Sequence, residues 1–541
     1  MTARSCRVLM VYPRFAAESF WVYTPACELV GARYPTAPLG MITVAAMLPP
    51  DWDIRLVNRN TEELTEDDLE WADMVMTGGM LFQQADSLRI LALAHAHGKP
   101  GVVGGPDVTS HPHVYDWFDF KVLGEAEAVM DDFVKAWRAG ERNGTFVAPK
   151  FEIDVTKTPI PRFDLLKFEQ YLYIGVQFSR GCPFTCEFCD IIELYGRVPR
   201  AKTNAQMLAE LDALYRLGYR GHVDFVDDNL IGNKKAVKRF LPDLKAWLDA
   251  NGHPFEFSTE ASLNLSDDEE LMRMMQDCDF FAVFVGIESP DEETLKQMRK
   301  KQNMRRSIPA SIHKIYKHGM YVLAGFIVGF DSENGSIAQP MIEVIEESAI
   351  PIGMVGLLGG MSNTQLGRRL QKEGRLHPGH DVQLEGVGDH CITGLNFDTL
   401  RPRDEVLTDY RSVLAKIYDP AMFAGRLKRL ADTLDRSQSP RHSPNAEMRS
   451  KYGAIETAHR IISHLPEARE ALWDAFMHCA RTNPAALRFI VMLMGLYLHV
   501  GPFSRRVIAN IDSQIADLRN RPAPVTPTTA KPSHVPAVAS A

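Results

Sequence analysis

Short apolar segments that alternate with helix-length segments constrain the fold of this chain most strongly. In the first 140 residues, five such segments are typical of buried strands, and the chain between them has room for helices. This order predicts a doubly wound α/β domain. Glycines follow several of the strands, at Gly78-Gly79, Gly104-Gly105 and Gly124, where they could border a ligand crevice or only form tight turns. The predicted strands are Arg7–Tyr12, Trp52–Val57, Ala72–Thr77, Pro100–Gly104 and Asp119–Leu123.

A second series of strand and helix units begins at Tyr171. Its six units predict a partial (β/α)6 barrel, in which an active site would lie at the carboxyl ends of the strands. The predicted strands are Ile174–Ser179, His222–Val226, Phe255–Glu260, Phe281–Ile287, Tyr321–Val328 and Ile352–Leu357.

The remaining segments complete the predicted domain organisation. The α/β domain covers residues 1–140, and the polar, proline-containing residues 141–170 form a linker to the barrel domain at 171–400. Residues 401–518 are predicted to form a helical domain. Residues 519–541 are rich in Pro, Ala, Thr and Ser, a composition typical of disorder.

Composition excludes several classes of partner. A net charge of −9 provides no basic field for nucleic acid. Eight cysteines without a charged-then-apolar leader indicate a reducing, cytoplasmic location. The longest apolar run, Phe489–Val500, is shorter than the roughly 20 residues of a membrane span, so we expect a buried helix and no transmembrane segment.

Cys182, Cys186 and Cys189 lie within the sequence CPFTCEFC, directly after a predicted strand. A loop this short can place three thiols around one metal centre. A structural zinc site would need a fourth ligand, such as Asp190 or a distant residue. A cubane held by three thiolates instead leaves one iron open to a substrate. The spacing favours a [4Fe–4S] cluster over zinc or unligated thiols.

This motif resembles that of the radical S-adenosylmethionine (SAM) superfamily, and further motifs extend the resemblance over about residues 5–420. Together they are similar to its cobalamin-binding-domain class, in the subgroup that contains the hopanoid C-2 methylases and has a helical C-terminal extension. The resemblance implies that the open iron binds SAM and that an electron, supplied by a reductase such as flavodoxin or ferredoxin, cleaves a carbon–sulfur bond. The further motifs are Glu187–Arg200, Phe225–Lys234, Thr259–Ser262, Val285–Ser289 and Gly325–Asp331.

The resemblance assigns residues near SAM. Phe188 occupies the position at which the superfamily packs a ring near the adenine. Asp227, Asp228 and Asn229 end the second barrel strand, at the motif for the SAM amino group, and carboxylates suit an ammonium.

The resemblance also assigns roles to residues on the later barrel strands. Glu260 and Glu288 end the third and fourth strands, from which this superfamily reaches the ribose or carboxylate of SAM. Gly325 and Gly329 would let the backbone approach the adenine. Each acidic residue could instead be a solvated strand end or part of an ion pair.

Arg197, Arg200 and Lys202 follow the cysteines. One of them could bind the SAM carboxylate, because a guanidinium fork matches a carboxylate. Equally, this basic segment could pair with Glu187 or Glu193.

The amino-terminal domain resembles a cobalamin-binding module, with Gly104-Gly105-Pro106 and the sequence GEAE at 124–127 as recognisable pieces. After the second strand the chain reads VNRNTEE from Val57 and lacks an Asp-x-His-x-x-Gly loop for a lower histidine ligand to cobalt. Because many members of the class lack this loop, cobalamin is still expected. The alternative is an α/β scaffold that has lost the corrinoid.

The other cysteines, Cys6, Cys27, Cys278, Cys391 and Cys479, have no ligand spacing and are expected to be small buried residues. With trivalent arsenic as substrate, Cys391 or Cys27 could bind it. The segment 359–366 lacks the Pro-Gly-Thr-Pro-like turn of the resembled subgroup, which would suit a substrate other than a hopanoid, or a neutral loop change.

The leading functional hypothesis is transfer of a methyl group through cobalamin to an unactivated carbon of a small-molecule or lipid-like acceptor. The alternative enzyme would transfer the 3-amino-3-carboxypropyl group of SAM to a soft nucleophile, as attributed to the arsinothricin-biosynthesis radical SAM enzyme. A third hypothesis, from another class, is a non-catalytic iron–sulfur or corrinoid-binding module.

Overall fold

The computed structural model describes residues 6–16, 18–380, 382, 394–437 and 444–520, with the backbone alone for 444–452. Cys391 and residues 521–541 of the predicted tail lie outside the described residues, whereas Arg519 and Asn520 continue a helix. The strands are β1 Arg7–Tyr12, β2 Tyr34–Thr36, β3 Asp53–Asn58, β4 Met74–Gly78, β5 Gly101–Gly104, β6 Phe120–Leu123, β7 Gly144–Val147, β8 Tyr171–Val176, β9 Ser179–Arg180, β10 Arg200–Ala201, β11 Gly221–Phe225, β12 Phe255–Glu260, β13 Phe280–Glu288, β14 Tyr321–Val328 and β15 Gly353–Leu357.

The α-helices lie between and after these strands. They are Thr24–Leu29, Leu39–Ala45, Glu66–Trp71, Gln84–Ala96, Pro106–Ser110, Met130–Ala139, Ile191–Leu194, Asn204–Arg216, Lys234–Asn251, Glu269–Asp277, Glu292–Gln297, Ile308–Lys317, Ala338–Glu347, Gln365–Lys372, Arg403–Ile417, Pro420–Thr433, Pro444–Ser463, Arg469–Thr482 and Leu487–Asn520.

The amino-terminal domain is a parallel sheet with strand order β3-β1-β4-β5-β6-β7. Its first five strands in chain order match the predicted ones to within two residues. The sixth, β7, lies inside the predicted linker. Only one face of this edge strand is covered, where Phe146 stacks on Phe120 at 6.4 Å, so its sequence has too few apolar residues to be read as a strand.

The barrel domain is a curled parallel sheet with strand order β15-β14-β13-β12-β11-β8-β2. Six of its strands are those predicted. The seventh, β2, comes from the amino-terminal part of the chain and pairs with β8 through Tyr34 opposite Tyr171. Residues between β1 and β3 therefore leave the first sheet to complete the second. A three-residue strand that contains Pro35 gives no periodic signal, which is why sequence reasoning missed it.

The carboxyl-terminal helices pack against the barrel in one continuous core. Phe489 stacks on Phe281 of β13 with ring centroids 5.5 Å apart. The segment Pro484–Asn520 has the length and hydropathy of a membrane span, but 78% of its most apolar window is buried within the protein. The run Phe489–Val500 is thus a core helix, as predicted.

Candidate active site

A cavity of about 760 Å³ lies between the first domain and the carboxyl ends of the barrel strands. Both domains and the segment after the cysteines contribute to its wall. We call it the interdomain cavity. From the first domain it is lined by Met80, Leu81, Phe82, Pro106, Asp107, Ser110 and His111; from the cysteine region by Phe188, Asp190, Ile191, Leu194 and Tyr195; and from the barrel by Gln177, Val226, Asp228, Phe284, Gly286, Glu288, Gly325, Phe326, Ile327, Met354, Leu357, Leu358, Gly359, Met361 and Asn363, among others.

The three cysteines lie on the loop of residues 181–189, here called the cysteine loop, which follows β9. All three thiols are free, and Cys186 is buried. Burial raises the pKa of each thiol, and the neighbouring thiols raise that of Cys189 further. The structure therefore brings the three predicted ligands together, in a place where a bound cation would be needed to hold them as thiolates.

Two side-chain amides point at these thiols. Asn229 Nδ2 lies 3.9 Å from Cys182 Sγ, and Gln302 Nε2 lies 3.8 Å from Cys186 Sγ. Among the described residues, no three His, Cys, Asp or Glu side chains converge tightly enough to hold a single metal ion. A cubane presents a separate iron to each thiolate, so its ligands need not converge on a single atom, and amide donors to sulfur suit thiolates that hold such a cluster.

Asp227 supports the cysteine loop. Its carboxylate accepts hydrogen bonds from Phe178 N at 2.9 Å, from Ser179 N at 2.5 Å and from Ser179 Oγ at 2.6 Å. The side chain is buried, and burial raises its pKa to about 7 despite these donors. Because both oxygens accept from the strand that leads to the loop, and Asp227 is not among the residues that line the cavity, its carboxylate serves here as a structural anchor. The expected contact with the SAM ammonium stays a prediction.

Asp228 and Asn229 are placed differently. Asp228 accepts a 2.8 Å hydrogen bond from Gly181 N and lines the cavity, and burial raises its pKa to about 6. Asn229 donates to Ser262 Oγ at 3.1 Å and accepts from Ser262 N at 3.2 Å, which ties the second barrel strand to the third. Of Asp227, Asp228 and Asn229, only Asp228 is among the residues that line the cavity.

Glu288 lines the cavity and forms a buried ion pair with Lys300. It follows a register shift in β13 and has a φ of 67°, a left-handed conformation that costs energy in a residue other than glycine. A Cβ at Gly286 would overlap Glu288 Oε1 and lie 2.8 Å from Lys300 Nζ. Sequence reasoning missed Lys300, which is twelve residues beyond its partner, because a lysine within the basic run Arg299-Lys300-Lys301 carries no signal of burial.

Lys300 also reaches the cysteine loop, because its Nζ lies 5.9 Å from the centre of the Phe188 ring. Phe188 lines the cavity and packs edge-on to Phe330 at 6.0 Å. Phe188, the ring predicted to pack near the adenine, therefore lines the cavity, and the ammonium group of the buried Lys300 lies near this ring.

Glu260 is the last residue of β12. It is solvent-accessible although it lies deep within the protein, and it has no hydrogen-bond or ion-pair partner for its carboxylate among the described residues. Burial, followed by the carboxylates of Asp224 and Asp228, raises its pKa to about 8.

The predicted glycines divide into two groups. Gly325 lines the cavity, where a Cβ would lie 3.2 Å from the Phe284 ring. Gly329 has a φ of 110°, and a Cβ on it would lie 2.6 Å from Leu395 Cδ2, so protein packs against this side of its backbone. Gly105, with a φ of 98°, packs against Gly79 and turns the chain of the first domain from Gly104 towards the cavity.

The GEAE sequence of the first domain contacts the cysteine region. Arg180 pairs with Glu125 at 3.1 Å and with Glu127 at 2.7 Å, and Arg200 pairs with Glu125 at 2.9 Å. We call these four residues the interdomain ion-pair cluster. The two glutamates join the first domain to the cysteine region and are not among the residues that line the cavity. Lys202 pairs with Glu210, so neither it nor Arg200 pairs with Glu187 or Glu193.

Asp107 and His111 form a second pair that sequence reasoning missed. They are one helical turn apart, and His111 Nδ1 lies 2.9 Å from Asp107 Oδ1. Both side chains are buried and both line the cavity. The i,i+4 spacing of Asp and His after a glycine turn was the available signal.

The other cysteines behave as predicted where they are described. Cys6, Cys27, Cys278 and Cys479 are buried, and none of the four lines the interdomain cavity. Segment 359–366 does reach the cavity, and Asn363 Nδ2 donates to Ser110 Oγ of the first domain at 2.8 Å.

The sequence of this chain matches two family models and several known proteins. A model of the radical SAM superfamily matches residues 176–345, and a model of a domain of unknown function, DUF4070, matches residues 364–513. An uncharacterized methyltransferase of Synechocystis sp. is 40% identical over 520 residues, which cover 95% of each chain. Hopanoid C-2 methylase of Rhodopseudomonas palustris is 35% identical over 458 residues, 84% of each chain.

Solved structures share the fold at low sequence identity. The cobalamin-dependent SAM radical enzyme OxsB, with aqua-cobalamin bound, has a TM-score of 0.58 and 14% identity, and the match covers 95% of this chain and 84% of OxsB. The radical SAM methyltransferase TsrM from Kitasatospora setae, with cobalamin and a [4Fe–4S] cluster bound, has a TM-score of 0.56 and 15% identity over 69% of this chain and 80% of TsrM.

Proposed function

Since this chain belongs to the radical SAM methyltransferases, in the family that includes hopanoid C-2 methylase, we propose that it transfers a methyl group from SAM through cobalamin to an unactivated carbon of a small-molecule or lipid-like acceptor. The observation that carries this proposal is the interdomain cavity. It is bounded on one side by the cobalamin-module-like domain and on the other by the cysteine loop and the barrel strand ends. Methyl transfer of this kind requires both domains to face one space.

Membership of the superfamily implies a [4Fe–4S] cluster and SAM. Cobalamin is supported by the module-like first domain and by the cobalamin-bound OxsB and TsrM structures, which share the fold. When bound, the cluster and SAM supply a carbon-centred radical, and cobalamin carries the methyl group.

The residues of the chain have separate roles in this proposal. Cys182, Cys186 and Cys189 hold the cluster, and the amides of Asn229 and Gln302 donate towards two of the sulfurs. Such donors stabilise negative charge on sulfur.

SAM would meet a different set of residues. Asp228 is the acceptor for its ammonium, because Asp228 lines the cavity and Asp227 does not. Phe188 and Gly325 line the space for the adenine, and Glu288, fixed by Lys300, borders it.

The acceptor would lie against an apolar wall. Met80, Leu81 and Phe82 of the first domain and Leu357 and Leu358 of the barrel contribute apolar side chains to the cavity wall. Such a wall excludes water from a reactive site and suits an apolar acceptor. The hopanoid methylase among the relatives acts on a lipid, which supports the same class here. We place this reaction in the cytoplasm, with a reductase of the flavodoxin or ferredoxin kind as electron donor.

Analysis of the products of SAM by mass spectrometry tests this function. Reduced, cluster-reconstituted protein would be incubated with SAM, with and without cobalamin, and a variant with all three cysteines changed to alanine would give the background. We expect 5′-deoxyadenosine from the wild type, joined by S-adenosylhomocysteine only when cobalamin is present. The triple variant should lose the iron–sulfur absorbance and both products.

The aminocarboxypropyl alternative predicts a different product. It would release methylthioadenosine above the background of the triple variant, without need of cobalamin. That result would contradict methyl transfer and direct the search for substrates to soft nucleophiles such as arsenite. A protein that binds the cluster but cleaves no SAM would instead support the non-catalytic module.

A further inference from the structure

The loop in which a cobalamin module usually carries its lower histidine is occupied here by internal contacts. Asn58, at the end of β3, donates from Nδ2 to the hydroxyl of Tyr171 at 3.1 Å. Asn60 donates to the carbonyl of Pro13 at 3.0 Å and accepts from Phe15 N at 2.9 Å. These side chains tie the first sheet to the segment after β1 and offer no nitrogen ligand.

A histidine does face the cavity from another loop of the same domain. His111 follows the helix Pro106–Ser110, at the carboxyl end of β5, the sheet edge at which open α/β domains bind ligands. Its side chain is 4% exposed and lines the interdomain cavity.

The tautomer of His111 is fixed by Asp107. The carboxylate of Asp107 accepts from His111 Nδ1 at 2.9 Å, from the Tyr115 hydroxyl at 2.5 Å and from Gln84 Nε2 at 3.1 Å. Because a carboxylate only accepts, the proton of the neutral imidazole is on Nδ1, and Nε2 carries a lone pair.

In the part of the chain that the structure describes, the hydrogen bond to Asp107 uses Nδ1, and the side chain lines the cavity. Nε2 is therefore available to a ligand in the cavity. An imidazole held through Nδ1 by a carboxylate, with Nε2 free, is the arrangement found in metal-ligating histidines. Cobalt accepts imidazole nitrogen readily.

From these observations we infer that His111 Nε2 is an axial ligand to the cobalt of a corrinoid in the interdomain cavity, with Asp107 as its positioning residue. This inference rests on the proposed function, because it requires that the first domain bind cobalamin. It gives the chain a histidine-ligated corrinoid through a loop other than the usual one.

Electron paramagnetic resonance of the bound cob(II)alamin tests the inference directly. Protein refolded anaerobically with hydroxocobalamin would be desalted and reduced, once unlabelled and once with ¹⁵N-histidine. One axial ¹⁴N nucleus splits each cobalt line into a triplet, and ¹⁵N splits it into a doublet. We expect the triplet to become a doublet in the labelled protein, which distinguishes His111 from the benzimidazole nitrogen of the cofactor itself.

Variants assign the nitrogen to its residue. His111→Phe should still retain stoichiometric corrinoid but lose the nitrogen splitting, and Asp107→Asn should reduce the fraction of split signal. The exposed neighbour provides a matched control, since His113→Gln should leave the spectrum unchanged.

The outcomes separate this inference from the proposed function. Wild-type protein that binds corrinoid but shows no histidine nitrogen splitting would overturn the inference and leave methyl transfer standing. Retention of the splitting in His111→Phe would do the same. Wild-type protein that retains no corrinoid would overturn both. The labelled wild type alone decides the first case, so a variant that fails to fold does not weaken the test.

Discussion

Arg180 lies 2.7 Å from Glu127, across the boundary between the first domain and the cysteine loop. Arg180 is also two residues before Cys182, and it shares Glu125 with Arg200. The side chains of Arg180, Glu125 and Glu127 are 12%, 4% and 10% exposed. Although burial alone would raise the pKa of Glu127, the guanidinium of Arg180 lowers it. The position of the cysteine loop therefore depends on acids from the first domain.

Loss of this cation should destabilise the protein. Arg180→Met would leave two buried carboxylates short of a partner, and removal of one member of a buried ion pair costs about 3–5 kcal/mol. We expect the free energy of unfolding in urea, measured on apoprotein, to fall by that order. Arg138→Met is the matched control, because its pair with Asp51 is more than half exposed on both sides and should contribute less than about 1 kcal/mol. Equal effects of the two substitutions would contradict a structural role for the cluster.

The ion pair between Lys300 and Glu288 gives a second prediction. Both side chains are 9% exposed, so Lys300→Met leaves a carboxylate buried without a counter-charge and should destabilise by about 3–5 kcal/mol. The double variant Lys300→Met/Glu288→Gln removes both charges and should recover most of that loss. Chemical denaturation of the wild type, both single variants and the double variant gives the coupling energy. A double variant as unstable as the sum of the singles would show that the two residues do not interact.

Much of this architecture follows from local sequence patterns, and the parts that do not are long-range. The cysteine loop and most strands are visible because their residues are adjacent or periodic. The strand β2 and the pairing of Glu125 with Arg180 join segments far apart in the chain. No local period marks such contacts.

Within the site, the sequence singled out Phe188, Asp228, Glu288 and Gly325, which line the cavity, but it did not show how each side chain is used. Asp227 and Asp228 are neighbours of one chemical type, yet one anchors β9 and the other lines the cavity. Backbone donors decide between these roles, and their position depends on the folded loop. Lys300 was missed for the same reason, since its burial follows from the bulge at Gly286.

Gly329 gives a third prediction, which concerns stability. Gly329→Ala would force a Cβ to 2.6 Å from Leu395 Cδ2 at a φ of 110°, so we expect a loss of roughly 1–3 kcal/mol from overpacking and backbone strain. Gly335→Ala is the control: its φ is 84°, but nothing lies within 4 Å of the added Cβ. Gly335→Ala should lower the free energy of unfolding only by the cost of a left-handed backbone in alanine, about 1 kcal/mol. Thermal unfolding of both variants would separate the packing effect from the conformational one. If Gly329 instead borders the adenine, the substitution would weaken SAM binding with little change in stability.

Glu260 predicts a pH dependence of stability. Its pKa in the folded protein is about 8, above the 4.5 of a free glutamate, because burial and nearby carboxylates disfavour the charged form. Between these values the folded state binds more protons than the unfolded state, so stability falls as pH rises. The stability that the folded protein gains from neutral Glu260 is fully present below pH 4.5 and is lost as the pH rises through 8.

The substitution Glu260→Gln should flatten this dependence, because an amide does not titrate. We expect the melting temperature of the variant, relative to wild type in the same apo state, to increase steadily from pH 5 to pH 8. Glu270→Gln is the control, since Glu270 is exposed and is not one of the acids that act on Glu260. A difference between wild type and Glu260→Gln that stays constant with pH would mean that Glu260 is ionised throughout, with a cation that neutralises the barrel interior.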